Sequence, residues 1–119
     1  MAIHAIAPMN QTRSRRVALG EFTRVSLKKQ ARRQGVTVDA LLGEAMSHYL
    51  ADRDSGRAAW RFPTAGRDRR ELEPVLELSV ADDDWIALET EAKAQQVPAD
   101  RLLEHAALYY LADLATGRK

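Results

Sequence analysis

Three arginines crowd the stretch TRSRR, at positions 13, 15 and 16 of the 119-residue chain. A guanidinium stays charged and presents a planar fork of donors, so a cluster of them suits phosphates or another polyanion. The charge distribution points the same way. Residues 1–74 hold fourteen Lys and Arg against eight Asp and Glu, and residues 75–119 hold four against nine, so a net charge of +1 divides into +6 and −5. One half of such a chain can face a polyanion while the other does not; solvated surface and attraction between the halves is the plainer account. Other potentially reactive residues assemble less well. His4, His48 and His105 lack metal-ligand spacing, and there is neither a cysteine nor a Gly-rich phosphate loop. Ser47-His48 and Glu104-His105 are chain neighbours, which point apart on a helix. Asp82-Asp83-Asp84 lacks the ligand spacing of a calcium loop and suits the positive end of a helix instead. No catalytic constellation results, and neither enzyme activity nor a cofactor is expected.

The elements that must carry these residues are written twice. Gly35–Arg57, GVTVDALLGEAMSHYLADRDSGR, returns sixty-one residues later as Gln96–Arg118, QVPADRLLEHAALYYLADLATGR, with eleven identities in twenty-three positions. Among them are Asp39/Asp100, Leu42/Leu103, Tyr49/Tyr110 and Asp52/Asp113. Each copy has helical apolar spacing and a closing Gly. Upstream of the first copy, Val17 and Leu19 alternate with Arg16 and Ala18, which predicts a short strand over Arg15–Leu19. Glu21–Gln34 follows as a helix with Leu27 and Ala31 on one face, stopped at Gly35. Thr37 caps the next helix, with Asp39 in its first turn. The same order recurs downstream: a strand over Leu76–Val80, a helix opened by the three aspartates, and a last helix from about Pro98. This divides the chain into a flexible basic arm (1–14), a first unit (15–57), a linker (58–75) holding Trp60 and Phe62, and a second unit (76–119). Each unit is too small to bury a sufficient core alone, so the two are expected to share one. The cysteine-free composition suits a cytoplasmic location, and nothing in the chain could span a bilayer.

Strand, helix, Gly-centred turn and capped second helix, written here as V17-A-L19, L27…A31-R-R-Q-G35-V-T37-V-D39-A-L41-L42 and Y49-L50, resemble the ribbon-helix-helix family of DNA-binding proteins. The likeness covers both units, as two tandem copies in one chain. It implies a mainly α fold with a small two-stranded antiparallel ribbon, a tandem pseudo-dimer. It further implies a sequence-specific DNA-binding protein, a transcriptional regulator that inserts the ribbon into the major groove of double-stranded DNA. Carried onto this chain, the outward positions are Arg16 and Ala18 in the first strand and Glu77 and Ser79 in the second. Thr37 takes the phosphate-holding position, and Arg13 and Arg15 neutralise phosphates from the arm.

The second copy departs from that pattern. Pro98 replaces Thr37 and has no N–H to donate, and Glu77 brings a carboxylate where Arg16 stands in the first copy. This copy is expected to complete the ribbon and to contribute less to binding. On the last helix, Leu108, Tyr109 and Leu114 stand where the first copy has Ser47, His48 and Arg53. The helix is thus apolar most of the way round, which predicts self-association or a protein partner there, with Trp60 and Phe62 as intramolecular cover. An alternative follows: a protein-binding module, antitoxin-like or an assembly subunit, that keeps the fold without reading DNA.

Overall fold

The computed structural model describes residues 12–63 and 75–117. The element order is β1 (Thr12–Ala18), α1 (Glu21–Gln34), α2 (Val38–Ala51), a single 3-10 turn (Ala58–Trp60), β2 (Val75–Ala81), α3 (Asp82–Gln95) and α4 (Ala99–Thr116). The fold is mainly helical, with one two-stranded antiparallel sheet. The strand limits differ from expectation: β1 starts three residues earlier and stops one short, leaving Leu19 outside it, and β2 gains one residue at each end. Pairing begins at Thr12, inside the stretch assigned to a flexible arm, because Arg13 and Arg15 leave no apolar alternation to betray a strand there. Residues 1–11 of that arm and 64–74 of the linker lie outside the described residues. No helix among the described residues is long and apolar enough to cross a membrane.

The register ties the two halves together. Arg16 lies opposite Glu77, its own equivalent in the repeat, with Ser14 opposite Ser79 and Arg15 opposite Leu78. Beneath the ribbon, Val17, Leu19, Leu78 and Val80 enter a single core with Leu27, Leu41, Leu42, Leu88, Leu102 and Leu103. The helices repeat as the strands do. Both α1 and α3 run fourteen residues, and both end on a left-handed residue, Gly35 at φ 70° and Gln96 at φ 62°. A glutamine there accepts a conformation that costs an L-residue about 1 kcal/mol, so the turn outlives the residue that suits it.

Contacts between the halves come in reciprocal pairs. A two-stranded ribbon leaves backbone groups exposed along both outer edges. The N–H of Ser79 donates to Asp39 Oδ2 at 3.1 Å, and the N–H of the equivalent Ala18 donates to Asp100 Oδ2 at 3.4 Å. Each first-turn aspartate therefore serves the other unit's strand. Tyr49 accepts from Gln95 Nε2 at 3.0 Å, while its equivalent Tyr110 neighbours Gln34, the equivalent of Gln95. The outer faces of α2 and α4 also meet. His48 Nε2 lies 2.6 Å from Asp113 Oδ2, and the hydroxyl of Tyr109, the equivalent of His48, donates to Asp52, the equivalent of Asp113.

Arg57 closes this last cluster, donating to both oxygens of Asp113 at 2.8 and 3.0 Å and to Asp52 Oδ2 at 3.0 Å. Its guanidinium lies 4.6 Å from the centre of the Tyr109 ring. Asp113 is only 2 % exposed. The Arg57 hydrogen bonds hold its carboxyl well below the usual range against the opposing effect of burial. Asp52 is also lowered, first by the Tyr109 hydroxyl, and burial pushes Tyr109 up to about 12.

The linker is pinned beside this cluster. Trp60 stacks on Tyr49 with ring centres 4.5 Å apart, donates from Nε1 to the Tyr49 carbonyl and accepts from the Tyr49 hydroxyl, both at 2.6 Å. His105 Nε2 approaches the same Trp60 carbonyl at 2.9 Å, and burial pushes this imidazole below its ordinary pKa. The Phe62 N–H donates to Gln95 Oε1 at 2.8 Å, so Trp60 and Phe62 fasten the linker to the body.

These shifts set the pH dependence of folding. A carboxyl with a lowered native pKa stabilises fully above its unfolded value, near pH 4, and loses that contribution as the pH falls through the native value. A base with a lowered pKa stabilises above its unfolded value, near pH 6.5, and loses that contribution below it. Urea unfolding should therefore show a first loss of stability below about pH 6.5, from His105, and a second below about pH 4. Asp113→Asn should cost about 3 kcal/mol at pH 7, and its deficit should shrink steadily below about pH 4, where the aspartate of the unfolded chain takes up a proton while the native one still resists it. A deficit constant across that range would show that the Asp113 charge is not what stabilises the cluster.

Candidate nucleic-acid interface

The outer face of the ribbon is built from alternate residues of both strands. Ser14 and Arg16 from β1 and Glu77 and Ser79 from β2 are exposed, and Ala18 is half-buried. Val17, Leu78 and Val80 point the other way and anchor the ribbon on the core. The face thus offers one forked cation, two hydroxyls that both donate and accept, and one carboxylate that accepts. These groups could engage base edges in a major groove, which is wide enough for a two-stranded ribbon. The opposed charges of Arg16 and Glu77 leave its centre nearly neutral. Four exposed basic residues of the same half cluster on α1, at Lys28, Lys29, Arg32 and Arg33.

Thr37 is brought to the same region. Its Oγ1 accepts from the Ala40 N–H at 3.0 Å and caps α2, as expected, and the Asp39–Ser79 bond sets that helix start beside the outer edge of β2. At the equivalent place beside β1 stands Pro98, which makes no side-chain cap for α4. Glu104 adds a feature without a counterpart, since Gly43 holds the equivalent position. Its Oε2 accepts from the Gly20 N–H at 3.1 Å and from Thr23 Oγ1 at 2.6 Å. This carboxylate secures the start of α1, where Gly20 supplies no side-chain cap.

Three assignments change. Arg15 does not reach outwards as an arm residue. It shares the inner side of the ribbon with Val17, donates from Nη2 to Asp82 Oδ1 at 2.9 Å and lies 5.1 Å from the centre of the Trp85 ring. Arg13 is part of the strand, opposite Val80, rather than of a separate arm. Tyr109 is not an association surface, being 6 % exposed in the α2–α4 contact. A single helix gives no sign of this, because its apparent solvent side is the face that meets α2. Leu108 and Leu114 are only half-buried and line a groove against α1, which Trp60 and Phe62 do not line. Ser14, inside the stretch expected to be an arm, joins the outer face of the ribbon. Asp39 and Asp100, identical in the two copies, hold the ribbon edges, a role beyond the first-turn placing expected of Asp39.

Comparison with protein-family models, with curated proteins and with solved structures gave no match.

The two neighbouring arginines should separate cleanly. Arg15→Ala removes an ion pair and a cation–π contact on the inner side and should cost about 1 kcal/mol of folding stability. Arg16→Ala, on the outer face, should leave the urea midpoint within experimental scatter. Equal stability losses would place both side chains against the core.

Proposed function

We propose that this protein binds double-stranded DNA sequence-specifically, as a cytoplasmic transcriptional regulator built as a tandem ribbon-helix-helix pseudo-dimer in one chain. One observation carries the reading. The ribbon pairs Arg16 with its own repeat equivalent and turns Ser14, Arg16, Glu77 and Ser79 outwards, with the Thr37 helix start alongside. The reciprocal bonds of Asp39 and Asp100, and of Asp52 and Asp113, support the pseudo-twofold arrangement. In this reading the ribbon lies in the major groove, Arg16 donates to guanine or to phosphate, and the backbone at Thr37 holds a phosphate.

The two copies contribute unequally. The first supplies Arg16 and the Thr37 turn, and the basic face of α1 raises the local potential. The second supplies Ser79 and structural completion, and Glu77 accepts from cytosine N4 or repels phosphate. A protein-binding role remains the second reading. Glu77 at the centre of the ribbon favours it, as does Phe22, a 74 % exposed aromatic on α1.

Selection from a random duplex library, followed by titration at two salt concentrations, tests the proposal. Arg16→Ala should weaken binding to a selected site by roughly 1–3 kcal/mol and relax preference at one position. Glu77→Ala should strengthen binding, most at low salt, by removing a like charge from the groove. Failure to enrich any site, or unchanged affinity of the Arg16 variant, would move the function to protein binding.

A further inference from the structure

The groove between α1 and α4 is about 510 Å³ in volume and differs sharply from its repeat counterpart. Leu108, Leu111 and Leu114 lie along it on α4, Phe22 stands on its α1 side, and Lys29 and Arg33 supply its charge with no carboxylate among the lining residues. The equivalent site between α3 and α2 has Asp83 for Phe22, Ser47 for Leu108 and Arg53 for Leu114. There Arg53, in the turn that follows α2, places its Nε 3.3 Å from Glu91 Oε1 on α3. Gln30 and Leu114 occupy those two positions in the open groove and can form no such ion pair. Of two equivalent sites, one is crossed by an ion pair and the other is left apolar and basic.

The complement to the open groove lies on α3 of the same chain. Ile86 is 56 % exposed and is flanked by exposed Asp83 and Glu89, with Lys93 about two turns further on. An exposed aliphatic residue between carboxylates matches an apolar trough edged by cations. α1 and α3 each pack against both α2 and α4, so they flank that pair. We infer that the α1–α4 groove of one copy takes the Asp83–Ile86–Glu89 face of a second copy, head to tail. The contact uses different surfaces on the two partners, so it extends into a row unless the rotation happens to close a ring. It draws on the charge division of the chain, since the cations of α1 come from the basic half and the carboxylates of α3 from the acidic half. It does not depend on DNA binding.

Sedimentation velocity on the full chain without DNA tests it. The mass average should rise above the 13.3 kDa of one chain between about 10 µM and 1 mM, and fall back as salt is added. Lys29→Glu/Arg33→Glu, which reverses the groove, and Asp83→Lys/Glu89→Lys, which reverses the α3 face, should each remain monomeric. An equimolar mixture of the two should associate again, because each then offers the other opposite charges. Ile86→Ser, which changes no charge, should weaken self-association at least fivefold, and circular dichroism checks that every variant stays helical. A wild-type chain of constant mass, reversed variants that associate like wild type, or a mixture that stays monomeric would each overturn the proposal.

Discussion

A seven-residue strand cannot stand by itself, because its backbone donors and acceptors need a second strand and its apolar side needs helices behind it. Here β1 finds its partner in the other half of the chain, and that antiparallel pairing commits everything between them. Once Val17 faces the core beside Leu78, α1 and α3 must leave the ribbon together, and α2 and α4 must meet beneath it. The outer edges of the ribbon remain polar and partly unprotected. The aspartates at the starts of α2 and α4 answer that need, each reaching the other unit's strand. Neither unit could satisfy its own strand in this way, so the exchange of contacts works against independent folding as well as for the shared core.

The copies have kept their frame and diverged in what they attach to it. Leu41, Leu42, Tyr49 and Asp52 reappear as Leu102, Leu103, Tyr110 and Asp113, and those positions hold the core and the α2–α4 contact. Divergence falls where the frame tolerates it. His48 and Tyr109 differ as side chains, yet each reaches the other copy's aspartate, since an imidazole N–H and a phenol O–H both donate. Arg57 then binds both aspartates, and Trp60 locks the following turn onto Tyr49. The single linker thus breaks the equivalence of the two halves, because its aromatics rest on the first copy's tyrosine.

Much of this architecture was legible from the repeat. Helix limits followed from Gly35, Thr37, Pro98 and the three aspartates, each of which acts locally. The shared core followed from the smallness of one unit. What escaped was whatever depended on partners distant in the chain. Thr12–Ser14 looks like an arm because no apolar residue alternates through TRSR, and Arg15 is tolerable on the inner side only because Asp82 and Trp85, far along the sequence, receive it. Tyr109 looks like surface until α2 is laid across it. The outward placing of Arg16, Glu77 and Ser79 was legible because strict alternation survives at Val17 and Leu19 and again at Leu76, Leu78 and Val80. Ser14 was not, since the alternation cannot be counted past Arg15.

The pairing of Arg16 with Glu77 carries a further consequence. Two identical copies joined in this register would set that position against itself, and like would always face like. Two guanidinium groups would crowd one another, or two carboxylates would. Joining both copies in one chain lifts that restriction, since each can change without altering the other. A cation can then face an anion at the one place where an assembly of separate, identical subunits never could, and the two strands are no longer obliged to present the same message.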